Sequence, residues 1–167
     1  MSERPNAEGH RDATKARPLP SEVKPERGAE HEKLAIFVGD WRGKGTGGGT
    51  PMTTRESYDW IEGKYFLQVR FDQEIARSSH IGLGILGYDS AAKAYRAQLA
   101  DNLGYLRDYE VRADSGDVWR FLGERERATV TFKDGRMNVR WEHRPDGGDW
   151  APLCEFDAIN ERAPPPH

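Results

Sequence analysis

The chain has 167 residues, a formal net charge of −3, and 36% hydrophobic against 32% charged residues. That length suits one domain, at a prior of one per ~150 residues. Arg and Lys are interleaved with Asp and Glu, which excludes the basic patch that duplex nucleic acid requires. A single cysteine, Cys154, excludes an intramolecular disulfide framework and a Cys-rich zinc site.

Residues 1–28 hold Pro5, Pro18, Pro20, Pro25 and many charges, with almost no large apolar side chain. Such a segment cannot bury enough surface to offset its ordering entropy, so it is expected to be a disordered tail. Residues 163–167, Ala-Pro-Pro-Pro-His, are expected to be a flexible tail, leaving 29–162 as the folded domain. No apolar run precedes Gly28, and no stretch of ~18 apolar residues occurs anywhere. The expectation is a cytoplasmic protein without a secretory leader or a membrane partner.

Glu30 to Val38 predicts one or two helical turns with Leu34, Phe37 and Val38 on one side. Gly39 breaks that helix and Gly39-Asp40-Trp41 enters a strand, where the Trp, with up to ~250 Å² to bury, plugs one end of a barrel. Gly47-Gly48-Gly49-Thr50-Pro51 then predicts a mobile connection. It lacks the following Lys-Ser/Thr and the helix of a phosphate loop.

Period-two alternation begins at Thr53. Thr54, Glu56, Tyr58 and Trp60 share one strand face; after the turn Ile61 to Lys64, Tyr65, Leu67, Val69 and Phe71 share another. Between His80 and Tyr88, Ile81, Leu83 and Ile85 alternate with a glycine-rich face, and interior glycines mark bends or close backbone approach. Further strands are predicted over Lys93 to Asp101, Tyr105 to Ala113, Val118 to Gly123, Ala128 to Phe132, Met137 to Arg144 and Leu153 to Ile159. Asp134-Gly135 signals a type I′ hairpin. About ten strands with short loops allow a sandwich or a closed barrel. The barrel is favoured, since closure removes exposed edges and Glu110, Arg112, Arg140 and Glu142 suit a wet exterior. The fold class is therefore all-β: an antiparallel up-and-down barrel closed by a short N-terminal helix.

Gly39-Asp40-Trp41 after a short helix, with Arg162 just past the last strand, resembles the calycin group of lipocalins and fatty-acid-binding proteins. The resemblance implies that Gly39, Trp41 and Arg162 form a structural closure, with the Arg162 guanidinium over the Trp41 indole. Gly82 to Gly87-Tyr88-Asp89, Trp141-Glu142, Asp146-Gly147 and Trp150, in that order, resemble the calycin-like bacterial domain of unknown function 1579 over roughly residues 31–162. Gly39, Trp41, Gly43, Gly45 and Gly47 also resemble the opening of the nitrobindins, ten-stranded haem-binding barrels. Those carry haem on a histidine near the C-terminal strand, whereas Leu153 to Ala158 contains none, so that resemblance would need His143 or Cys154 as substitute ligand.

If the Trp141 face points inward, Met137, Val139, Trp141 and His143 come onto the lumen side; on an earlier strand one face carries Tyr105, Arg107, Tyr109 and Val111. The candidate ligand-binding residues are Tyr58, Trp60, Arg107, Tyr109, Trp141 and His143, a set suited to a flat ligand with one acidic group. Small barrels also fill their interiors with side chains, so a filled lumen stays open as an alternative. His80 and His143 read as strand-end surface residues and His31 as a helix cap or a solvated side chain. The five histidines show no close metal-ligand spacing, so no metal is expected. Asp89, Asp101, Asp108 and Glu142 could converge, but Asp89 reads as a turn former and Cys154 as a small buried hydrophobe.

Three functions follow: non-catalytic binding of a small hydrophobic or amphipathic molecule, with no cofactor; a haem protein of nitrobindin type; or a hydrolase or isomerase acting on a lumen-bound molecule. A homodimer stays open as a partner state.

Overall fold

The computed structural model describes residues 24–162, so the expected tail at 163–167 and all but residues 24–28 of the one expected at 1–28 lie outside the described residues. The segment 24–28 lies against the turn between the second and third strands. There the Tyr65 hydroxyl donates to the Pro25 carbonyl at 2.7 Å and Arg27 Nε donates to the Lys64 carbonyl at 2.8 Å.

A helical turn, α1 (Ala29–Lys33), runs directly into a 3-10 turn, Leu34–Phe37. Ten strands follow: β1 (Gly39–Gly47), β2 (Thr50–Trp60), β3 (Phe66–Ile75), β4 (Ser78–Asp89), β5 (Ala94–Asp101), β6 (Leu106–Ala113), β7 (Val118–Leu122), β8 (Glu126–Lys133), β9 (Arg136–His143) and β10 (Ala151–Asn160). Each pairs antiparallel with its sequence neighbour, and β1 pairs with β10 from Trp41 opposite Asn160 to Gly47 opposite Cys154, closing the barrel. Closure leaves no edge strand to template association through unpaired backbone groups.

The turns follow local chemistry. Asp134 and Gly135 both take positive φ, 50° and 71°, as the predicted type I′ hairpin demands. Gly47-Gly48-Gly49-Thr50-Pro51 is more ordered than the expected mobile connection. Only Gly48 and Gly49 form the turn, at φ 55° and 79°, while Thr50 and Pro51 already belong to β2.

Inward positions alternate as the sequence predicts on β2, β3, β6 and β9. On β4 the inward face is the glycine face, and Ile81, Leu83 and Ile85 point outward, 46%, 53% and 42% exposed. The reason is space. A Cβ on Gly84 would overlap the Gln98 carbonyl oxygen of β5, and one on Gly45 would overlap the Glu155 carbonyl oxygen of β10. Glycine lets the sheet bend tightly at these two places.

The helical end is closed by aromatics. Phe37, fully buried, has Phe132, Trp119, Tyr58 and Phe121 at ring-centroid distances of 5.0, 5.1, 5.5 and 6.1 Å. Trp41 is also buried, and its indole N–H donates to the Phe37 carbonyl at 2.8 Å, satisfying a helix-end acceptor. The expected stacking of Arg162 over Trp41 is corrected. Strand alternation turns Trp41 inward and Asp40 outward, so Arg162 clamps Asp40 and reaches Asp59 Oδ1 at 2.6 Å instead. The two chain ends are still tied together, with Asn160 Nδ2 donating to the Val38 carbonyl at 3.0 Å as well.

Candidate functional site

The end opposite the helix is hollow. A cavity of about 470 Å³ enters between the β1–β2 turn and the start of β4, and extends down to Tyr58 and Phe121 above the aromatic plug. The alternative of a lumen filled by its own side chains is therefore not what the fold adopts. Glycine helps to leave this space: above Trp41, the inward positions of β1 are Gly43, Gly45 and Gly47. A larger depression of about 680 Å³ lies against Arg42, Arg55, Arg70, Asp72 and Leu83 on the outer face, where it is an open surface groove.

Four of the six sequence candidates, Tyr58, Arg107, Tyr109 and Trp141, line the cavity. Trp60 and His143 do not. Trp60 has the expected strand face but lies at the plugged end of β2, with the Arg27 guanidinium 5.5 Å from its ring. His143 is the last residue of β9, at the rim opposite Ala151 and Glu126. Period two identified the face and not the height along the barrel.

The deeper part of the cavity is apolar, lined by Val69, Leu86, Leu99, Phe121, Val130 and Val139. The same strands carry a continuous polar chain nearer the mouth. Tyr58 OH donates to Glu56 Oε2 at 2.9 Å, and Thr54 Oγ1 donates to Oε1 at 3.4 Å. Gln73 also bonds Glu56, and its Oε1 lies 3.4 Å from His80 Nδ1. His80 Nε2 lies 3.1 Å from Asp101 Oδ2, the same oxygen that accepts from Arg107 Nη1. Arg107 Nε is 3.3 Å from Glu126 Oε2, which also accepts from Tyr109 OH at 3.0 Å.

The charge states follow from these contacts. Burial pushes the Glu56 carboxyl above its ordinary value, and the donations from Tyr58, Thr54 and Gln73 only partly oppose it. Burial also acts to raise Asp101. There, hydrogen bonds from His80, the backbone N–H groups of Tyr105 and Leu103, and Arg107 win and hold the carboxyl at about 2. Burial and nearby Glu126 raise the Tyr109 hydroxyl, so it stays a donor. Cys154 lines the cavity as well, its thiol pushed up to about 11 by burial and by Glu56 and Glu126.

Sequence reasoning missed Glu56, Gln73, His80 and Glu126 as site residues, and treated Asp101 only as one of four carboxyls that could converge. Of those four, Asp101 alone faces the cavity. Asp89 Oδ1 accepts from the Ala91 and Ala92 N–H groups at 3.0 and 3.1 Å, the turn role expected of it. Asp108 accepts from Gln98 Nε2 at 2.8 Å on the exterior, and Glu142 pairs there with Arg127 at 2.8 Å. His31 is a cap, its Nδ1 accepting from the Gly28 N–H at 3.1 Å; it is buried and not solvated.

The donor set does not fit haem. His143 is off the cavity wall, the cavity imidazole of His80 has both nitrogens engaged, and Cys154 holds its proton. Among the described residues there is no group of three His, Cys, Asp or Glu side chains placed to hold a metal. His80 with Asp101 has the form of a base pair, and Ser78 and Ser79 lie at the same mouth. Neither serine hydroxyl bonds the imidazole among the described residues, so a nucleophile–base geometry is not assembled. No described helix is long and apolar enough to cross a membrane.

No curated protein matches the sequence. The fold is similar to that of Rv2717c from M. tuberculosis, at a TM-score of 0.62 and 13% identity over 82% of this chain and 100% of that one. A de novo designed fluorescence-activating β-barrel matches at a TM-score of 0.43 and 14% identity, over 77% of this chain and 98% of the design. The likeness to Rv2717c concerns the fold alone. The family model described as "Protein of unknown function (DUF1579)" matches residues 26–110, from the segment ahead of the plug into β6 with its Arg107 and Tyr109, and the chain belongs to that family.

Proposed function

We propose that the barrel binds a small apolar or amphipathic molecule in its lumen and performs no chemistry on it. The observation that carries this reading is the unfilled space of about 470 Å³ lined by apolar side chains in its depth and by a hydrogen-bonded polar chain nearer its mouth. That volume falls within the ~300–1,000 Å³ of small-molecule sites, and a mainly apolar lining with a few fixed polar groups is their usual composition. Phe37 and its aromatic neighbours close the floor, so a ligand enters from the Gly48 and His80 rim. The polar chain spends most of its donors and acceptors on itself. It is therefore already organised, and little ordering entropy has to be lost on binding.

Native mass spectrometry of the protein as purified tests the reading. A co-purified adduct of small mass, released by organic solvent, is the expected result. A bare protein that also fails to take up any apolar probe contradicts it. An absorbance scan after haemin addition separates the haem reading, which requires a Soret band that His143→Ala removes.

A further inference from the structure

Taken as a ligand site, the lumen is short of positive charge. Three carboxyls, Glu56, Asp101 and Glu126, face one guanidinium, Arg107, and the His80 imidazole. Arg107 already holds both Asp101 and Glu126, and His80 is engaged by Asp101 and Gln73. Glu56 stands apart. It is 8% exposed, its donors Tyr58, Thr54 and Gln73 are all uncharged, and among the described residues no cation pairs with it. A buried carboxylate without a counter-charge is expensive, so such a group keeps its proton until a cation arrives. Phe71 lies directly across from Glu56 in the β2–β3 register, and Tyr58, Tyr109 and Trp141 add further ring surface to the same cavity.

On the ligand-binding reading above, we infer that the lumen takes an amphiphile ending in a protonated amine, seated on Glu56, and disfavours one ending in a carboxylate. An ammonium donates up to three hydrogen bonds, supplies the missing charge and is attracted by aromatic faces. A carboxylate meets three carboxyls and finds the guanidinium taken. Glu56 faces Thr54 and Tyr58 on its own strand, Gln73 on β3 and the protonated thiol of Cys154 on β10, none of them positive. Binding therefore ionises Glu56: its proton passes to the buffer while the amine keeps its own. Affinity for the amine rises with pH while Glu56 is still protonated in the free protein.

The test is calorimetry on the full chain with decylamine, decanol and decanoate, each below its aggregation limit. The expected order is decylamine at least tenfold tighter than decanol, with decanoate weakest, and proton release for the amine alone in buffers of different ionisation enthalpy. Glu56→Gln should erase the amine's advantage over decanol. Equal affinities, decanoate binding tightest, or an undiminished amine preference in Glu56→Gln overturns the head-group inference and leaves the container intact. Failure of all three, decanol included, overturns the container reading itself. The wild-type series decides the matter even if the variant does not fold.

Discussion

Phe37→Ala tests how the barrel is closed. The ring is fully buried and has four aromatic neighbours between 5.0 and 6.1 Å, drawn from β2, β7 and β8. Truncating a buried Phe to Ala costs ~3–5 kcal/mol, through lost transfer energy and the void left behind. With a urea slope of ~2 kcal/mol per molar, that lowers the unfolding midpoint by about 2 M. Arg162→Ala is the contrast. Its clamp on Asp40 and Asp59 joins the chain ends, but the three side chains are 42%, 45% and 48% exposed, and pairs of that kind contribute under ~1 kcal/mol. Urea denaturation followed by far-ultraviolet circular dichroism measures both variants. If Arg162→Ala shifts the midpoint as far as Phe37→Ala, the closure is electrostatic and the aromatic plug is the wrong account.

Four further outcomes follow. Gly45→Ala places a Cβ against the Glu155 carbonyl, so β1 and β10 must separate; a loss of ~1–3 kcal/mol, read as a lower Tm, is expected. Asp101, held at about 2 against an ordinary 3.8, contributes stability that is present above the unfolded value and lost as pH falls toward 2. Asp101→Asn should flatten that acid limb, worth on the order of 1–2 kcal/mol after allowing for solvent at the cavity mouth. Glu56 works in the opposite sense: with its folded value raised above 4.5, stability declines as pH rises past 4.5 until the folded value is reached. Glu56→Gln should remove that decline and be relatively more stable at pH 8 than at pH 4. Cys154, pushed up to about 11, should alkylate far more slowly in the folded protein than in urea, and more slowly still with ligand bound.

The strand faces were legible because a half-buried strand leaves a period-two record. Tyr58, Tyr109 and Trp141 could be assigned inward from alternation alone. What alternation lacks is height and pairing. Trp60 shares a face with Tyr58 but sits beside the plug, and His143 shares one with Trp141 but ends at the rim. The polar chain was hidden for another reason. Glu56 lay within an inward set, flanked by Thr54 and Tyr58, and that position was its signal. Its partner Gln73 comes from β3, and the chain continues to His80 and Asp101 through pairings fixed by register. Arg162 has Asp40 as its partner and not Trp41, since the two point to opposite faces of one strand.

The central claim, that the lumen is an open binding site, is tested most directly by titrating a neutral naphthylamine dye into the wild-type protein and into Leu99→Trp. Leu99 lines the cavity, so the indole occupies the space a ligand would use. The account predicts saturable one-to-one fluorescence enhancement in the wild type, displaced by decanol, and its loss in a Leu99→Trp variant with an unchanged β-sheet spectrum. Non-saturable enhancement, or equal binding by the filled variant, would contradict it.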